Sequence, residues 1–401
     1  MRIIKAGLTL LICLSLCACS AGGQGSGKNN PVTESQSGND VKTEVASGEN
    51  MAASFDQMHW EKGLELSHAT TFFVEKCGEY NLITIADADR FLVIPEGGVI
   101  PDGVPKDVAI LRKPLRHVYL ASSSVFDLIR EAEALDSIRL SGTKKDDLCI
   151  SEAVSAMNEG RLLYAGKYNK PDYELMVAEG CDLAIENTMI YHNPEAKEKL
   201  ESLGIPVLVE TSSYEAHPFG RMEWIKLYGL LFDREDEAAA FFDEAVKEIT
   251  PVLQQEKTDY KVAFFYVNSN GVVNVRKPGD YVAKMIELSG GEYVLADAKV
   301  EEENALSTMN MQMEDFYLAA KDADVIVYNS TIVGELNSVG DLLELSPLFA
   351  DFKAVKENRV YCTEKNFFQQ TTAIADFVED LGKALRDPEQ TEFHQMKKLT
   401  K

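Results

Sequence analysis

Apolar residues in this chain follow two spacings, and the switches between them outline its architecture. From Phe72 to Leu111, short aromatic and β-branched runs (Phe72–Glu75, Leu82–Ala86, Phe91–Ile94, Val108–Leu111) are parted by turn residues and by the Gly/Pro-rich stretch Pro95–Pro105. That pattern predicts a meander of strands. From His117 the runs alternate with helically spaced segments: strand His117–Ala121, helix Val125–Leu135 opened by Ser122–Ser124, extended Leu162–Tyr164, helix Tyr173–Glu179, strand Leu183–Ile185, helix Glu195–Leu203 and strand Val207–Val209. Unbroken apolar runs between helices are those of strands covered on both faces of a parallel sheet.

After Val209 the loop Glu210–Pro218 gathers hydroxyls, an aromatic, two carboxylates and a histidine. Asp233 offers an N-cap, and Glu235, Asp236 and Glu237 place acid in a first turn, where the helix dipole favours it. One helix over Arg234–Glu256 is predicted, about 34 Å long at roughly 1.5 Å per residue. Pro251 is its weak point, because an interior proline removes a backbone bond. Beyond it the pattern restarts with strands Val262–Val267 and Val272–Val275, helix Tyr281–Ser289 stopped by Gly290-Gly291, helix Met313–Ala320, strands Val325–Tyr328 and Arg359–Cys362, and a closing helix Thr371–Leu385. The expected fold class is α/β, two Rossmann-like lobes joined by one long rigid connecting helix. The expected units are a lipoprotein signal peptide at 1–18, a flexible tether at 19–57, an N-terminal lobe at 58–232, the connecting helix at 233–257 and a C-terminal lobe at 258–401. Ligands of such sheets sit outside the C-terminal ends of the strands, here the loops after Ala121, Tyr164, Ile185, Val209, Val267, Tyr328 and Cys362.

The composition, 45% apolar and 26% charged over 401 residues, is that of a globular protein. A net charge of −25 excludes nucleic acid as a partner, since little here would neutralise phosphates. At the N-terminus, Arg2 and Lys5 precede the apolar run Ala6–Ala18, which is too short to span a bilayer and right for a signal peptide. Leu16-Cys17-Ala18-Cys19 resembles the bacterial lipobox, which makes Cys19 the lipidated residue and places the chain on the extracytoplasmic side of a bacterial cell membrane; a plain secretory signal is the alternative. Gly22–Lys28 imitates a phosphate loop, but Asn29 replaces the Ser/Thr and no strand precedes it. The cysteines at 77, 149, 181 and 362 have no zinc-site or framework spacing and read as buried thiols. No G-x-S-x-G, H-E-x-x-H or dinucleotide glycine fingerprint is present, and Ser122–Ser124 with a distant His217 lack a nucleophile elbow, so the chain reads as a non-enzyme.

Several segments, in order, resemble one family. They are Pro171-Asp172-Tyr173-Glu174 with Glu179–Ile185, Leu200-Glu201-Ser202-Leu203-Gly204-Ile205-Pro206-Val207, Tyr281–Gly291 ending in its double glycine, and Asp322-Ala323-Asp324-Val325-Ile326-Val327. Together, over roughly residues 108–388, they are similar to the substrate-binding proteins of ABC importers for iron-siderophores, haem and cobalamin. The resemblance implies two α/β lobes on a rigid helix, a small-molecule metal chelate as ligand, an ABC permease with its ATPase as partners, a lipid-anchored monomer and no resident cofactor. A ferric siderophore is the first expectation, haem or a corrinoid the alternative, and a lipoprotein sensor or adhesin without transport role the alternative of another class. Asp172 and Asp182 depart from the family's usual residues, so the likeness bears on role and fold more than on ligand.

If a ligand lies between the lobes, Tyr168, Tyr191, Tyr214, Phe367 and Phe368 are placed to offer aromatic faces. Arg221 and Arg276 are the candidate cations for carboxylate or catecholate oxygens, since a guanidinium gives paired, planar hydrogen bonds and stacks on rings. His217 and His192 are the candidate ligands of haem iron or cobalamin cobalt. No set of Asp, Glu and His at metal spacing points to a bare metal site. For the permease, the resemblance implies one surface carboxylate per lobe, which Glu195 and Glu335 would supply.

Overall fold

The computed structural model describes residues 54–300 and 307–401. The signal, lipidation (Cys19) and tether readings at 1–53 lie outside the described residues, except for the end of the 19–57 tether, where a single 3₁₀ turn covers Phe55–Gln57.

The expected meander is a five-stranded sheet, in spatial order β1 (Glu61–Lys62), β2 (Phe72–Cys77), β3 (Tyr80–Ile85), β4 (Asp89–Ile94) and β5 (Val108–Arg112). All pairs are antiparallel except β4–β5. Period-2 alternation sends Leu82, Leu92, Ile94 and Val108 into a small cluster with Phe55, and Ile83, Ile85, Phe91, Val93 and Leu111 into the main core. Burial of both faces is why these strands read as apolar runs.

The first lobe is a five-stranded parallel sheet ordered β12-β11-β6-β7-β8: β6 (Val118–Leu120), β7 (Ile138–Ser141), β8 (Leu163–Tyr164), β11 (Leu183–Asn187) and β12 (Val207–Glu210). A small hairpin, β9 (Gly166–Lys167) with β10 (Lys170–Pro171), follows β8. Helices α1 (Val125–Glu131), α2 (Ser151–Asn158), α3 (Tyr173–Ala178) and α4 (Pro194–Ser202) make the crossovers. Strand order reverses between β6 and β11, which sets the switch-point crevice at Ser122–Ser124 and Asn187–Thr188.

Three helices then run in succession: α5 (Pro218–Glu223), α6 (Ile225–Phe232) and α7 (Glu235–Leu253). The expected N-cap is corrected. Asp233 adopts a left-handed conformation (φ 57°, ψ 48°) that closes α6, while Arg234 precedes α7 without a side-chain cap bond. Reversing the chain between two packed helices needs a left-handed residue, a role that Asp tolerates. The Asp233 carboxylate accepts from Lys113 Nζ at 2.7 Å. At Gly229 a β-carbon would stand 2.6 Å from Ala238 Cβ, so glycine permits the close approach of α6 to α7. Along α7, Ala238, Phe242 and Ile249 form the buried stripe. Pro251 lies in the last turn, and the helix runs on to Leu253.

The second lobe pairs β15 (Glu292–Tyr293), β13 (Lys261–Val267), β17 (Val325–Tyr328) and β18 (Val360–Thr363) in parallel. β14 (Val273–Arg276), β16 (Thr308–Met311) and β19 (Met396–Lys398) join antiparallel at its edges. Its helices are α8 (Tyr281–Leu288), α9 (Met313–Ala320), α10 (Ser330–Val333), α11 (Val339–Leu345), α12 (Lys353–Lys356) and α13 (Ile374–Arg386). One continuous apolar core includes Leu120, Trp224 and Phe242 together with Phe264 and Phe377, so it runs from the first lobe through the connector into the second. The described cysteines are all free thiols; Cys362 is buried, whereas Cys77, Cys149 and Cys181 are half-buried, against the expectation of four buried thiols. Among the described residues no helix is long and apolar enough to cross a membrane.

Candidate functional site

The strand ends of the first lobe carry polar groups that strand physics alone does not require. Beyond β6, Ser122 Oγ donates to Glu210 Oε1 at 2.9 Å, and the Ser212 amide donates to Glu210 Oε2 at 2.7 Å. These bonds fix a carboxylate, 3% exposed, at the end of β12. The hydroxyls of Thr211 and Ser212 are buried beside it without partners. Glu186, at the end of β11, is fully buried with both oxygens unpartnered, and desolvation pushes its carboxyl up to about 8. Burial thus favours its protonated form. Thr188 Oγ1 and Tyr214 OH lie 3.3 Å apart at the crevice.

Arg221 decides the electrostatics. Its side chain projects from α5, the residue is 5% exposed, and Nε is buried with no hydrogen-bond partner. No ion pair or hydrogen bond joins the side chain to any described residue. Its guanidinium instead lies 4.7 Å from the centre of the Tyr281 ring, at the start of α8 in the second lobe. Such stacking is worth about 0.5–2 kcal/mol, whereas the effective penalty for taking a cation out of water is several kcal/mol. Buried Tyr228 feels both Arg221 and Glu210, and its own hydroxyl has no partner. Among the described residues no carboxylate forms an ion pair with Arg221.

Across the same ring Arg276 stands 5.2 Å from Tyr281, with Phe368 5.4 Å away on another side. This arginine is complete. Nε and an Nη each donate to Asp280 at 2.7 Å, and burial, which acts against its charge, is more than offset by Asp280. Asp280 also caps α8 through the Val282 amide at 2.9 Å. Further along the second-lobe edge, Ser330 Oγ is buried and unpartnered after β17. Gln369 bridges the lobes: its Oε1 accepts from the Cys149 amide at 2.9 Å and its Nε2 donates to Asp147 O at 2.8 Å.

Of the aromatics expected at the site, Tyr214 and Phe368 reach it. Phe367 packs into the core, 4.8 Å from Phe377 and 6.1 Å from Phe264. Tyr168 lies against the apolar cluster beneath the β9–β10 hairpin, and Tyr191 is exposed. His217 does not face Ser122. It stacks on His68 with ring centres 4.6 Å apart and accepts the Phe219 amide on Nδ1; burial, His68 and Lys284 push it down to about 4. His192 is exposed, as are Glu195 and Glu335, the latter 3.5 Å from Lys397. Glu210, Tyr281, Glu186, Ser330 and Gln369 were not legible as site residues. Their signal is their neighbours, which lie far off in sequence.

The profile of the periplasmic binding protein family matches residues 140–366, more than half of the chain. The chain belongs to that family. It is a solute-binding protein of the ABC-transporter type, a class whose partners are a small-molecule ligand and an ABC permease. An uncharacterized lipoprotein of Methanocaldococcus jannaschii is 23% identical over 305 residues, covering 73% of this chain and 70% of its own. Among solved structures, the periplasmic heme-binding protein HutB of Vibrio cholerae superimposes with a TM-score of 0.54 at 17% identity, over 66% of this chain and 97% of its own. An ABC-type Fe3+-hydroxamate transport protein of Saccharomonospora viridis gives 0.54 at 22% identity, over 68% and 93%. At these identities the structures share the two-lobed fold with this periplasmic binding protein, and the fold alone.

Proposed function

We propose that this chain captures an anionic metal chelate, an iron–siderophore first, on the outer side of the cell membrane and hands it to an ABC permease. The observation that carries the reading is Arg221, a buried cation at the lobe boundary with no ion pair among the described residues, in a chain of net charge −25. An acidic chelate oxygen would complete it with paired, charge-assisted bonds. The orphan hydroxyls of Thr211, Ser212 and Ser330 offer further donors, and Tyr214 and Phe368 offer ring faces. Exposed Tyr164, Met189 and Tyr191 on first-lobe strand-end loops, with Ile332 and Val333 after β17, suit a ligand with apolar surface better than a bare oxyanion. That apolar rim also keeps haem or a corrinoid as the second reading. Two structural neighbours are named for heme and for Fe3+-hydroxamate. Lipidation at Cys19 would tether the protein, in keeping with the lipoprotein name of a relative, and exposed Glu195 and Glu335 would meet the permease. Fluorescence titration with ferric siderophores, haemin and cobalamin tests the ligand class. Quenching by a siderophore, shifted to higher concentration in Arg221→Leu, is expected; no quenching by any of the three classes at micromolar concentration overturns it.

A further inference from the structure

The helix that bears Arg221 is only six residues long, and so short a helix cannot hold its own orientation. Besides the core packing of Phe219 and Met222, α5 is tied by hydrogen bonds to a segment before β2, Ser67–Thr71, which forms no regular element and lies outside the region matched to the family. Its five consecutive amides point into two buried carboxylates at the two ends of α5. Ser67, His68 and Ala69 donate to Glu223 at 2.8–3.0 Å, and Thr70 and Thr71 donate to Glu215 at 2.9–3.0 Å. The hydroxyls of Thr70 and Thr71 add bonds of 2.9 and 2.7 Å to Glu215, which also accepts from Trp224 Nε1 at 3.1 Å. Burial pushes the Glu223 carboxyl up, but the bonds from Lys226 and from the strap amides outweigh it and hold the group below its ordinary value. Between the two carboxylates the strap crosses α5 at Gly220, where a β-carbon would meet His68 O at 2.8 Å, and His68 stacks on His217 at the helix N-cap. The helix α5 also packs against α8, where Arg221 meets Tyr281.

We infer that the strap Ser67–Thr71, through Glu215 and Glu223, positions Arg221 for the ligand, so that the N-terminal sheet serves the binding site as well as the core. Among the described residues Arg221 has no ion pair, and its place is set by the pose of α5 against Tyr281. Bonds to charged acceptors are roughly twice as strong as neutral ones, and removing that charge loosens the clamp while leaving the core untouched. The inference rests on Arg221 being the ligand's cationic contact.

The test pairs a ligand-free and a ligand-bound readout on Glu223→Gln, with Thr71→Val, which deletes a single hydroxyl bond, as the milder variant should the first not fold. Phenylglyoxal modification followed by mass spectrometry reports the exposure of each arginine in the full chain. Arg221 is expected to react several-fold faster in the variant while Arg276, held by Asp280, does not change. In siderophore titration the variant is expected to lose about ten-fold in affinity in the parent background and nothing further in an Arg221→Leu background, the coupling expected of a positioning residue. An unchanged Arg221 rate beside a lowered melting temperature, or equal acceleration of both arginines, overturns the inference and leaves the strap a folding element. If no chelate binds the parent, the chelate reading fails, and the modification rates still decide the positioning role.

Discussion

Two arginines flank one tyrosine, and their surroundings are opposite. Arg276 is held by two bonds to Asp280 and a ring on each of two sides, whereas Arg221, equally buried, has only the ring of Tyr281. The contrast extends along the two lobe edges. On the first lobe the Glu186 carboxyl and the hydroxyls of Thr211 and Ser212 lack partners; on the second the Ser330 hydroxyl lacks one, but Asn329 accepts from Thr331, and Thr363 accepts the Ser330 amide. Among these residues the first-lobe edge carries more unpartnered polar atoms than the second. Pairing, more than charge, separates a scaffold arginine from a ligand arginine.

The largest effect that sharpens this comparison is on stability. Asp280→Ala leaves a buried guanidinium uncompensated and should cost about 3–5 kcal/mol in denaturant unfolding. Arg221→Leu should leave unfolding unchanged or raise stability, because it removes a charge that was never paired. Equal losses from the two would erase the distinction. In binding the order reverses: Arg221→Leu should weaken an anionic chelate about ten- to hundred-fold, the worth of one charge-assisted contact.

Smaller effects appear in the pH dependence, with opposite signs. The Glu186 carboxyl, raised from 4.5 to about 8, keeps its proton in the folded state while the unfolded chain has released it. Its contribution to stability therefore falls as pH rises from about 4.5 to about 8. Glu186→Gln should flatten that slope; a slope identical to the parent's would show the carboxyl already ionised. His217, lowered from 6.5 to about 4, stays neutral in the fold while the unfolded chain takes up a proton. Stability should thus be lost as pH falls through that window, and His217→Asn should remove the loss in an acid titration of the melting temperature.

Elements with strong periodicity were legible to the residue: Met313–Ala320 and Val325–Tyr328 stand where the spacing put them. Ile138–Ser141 and Ser151–Asn158 were missed, because I-R-L-S alternates over only four residues and S-E-A-V-S-A-M-N is largely built of small residues. Asp233 misled because an acid before an acidic turn reads as a cap, and only the packing of α6 on α7 demands its left-handed turn. At the site, the sequence presented Arg221 and Arg276 as equals. Charge is written in the chain, but the neighbour that neutralises it belongs to the fold.

The Gln369 bridge has a consequence for how such a protein can diversify. It grips the first lobe only through the Cys149 amide and the Asp147 carbonyl, groups that nearly every residue type supplies. Side chains at positions 147 and 149 can therefore change, proline at 149 excepted, without removing these two bonds, whereas Leu148 between them is held by the core. The grip is indifferent to sequence on one side and specified by a single glutamine on the other, so ligand preference and lobe spacing can evolve separately.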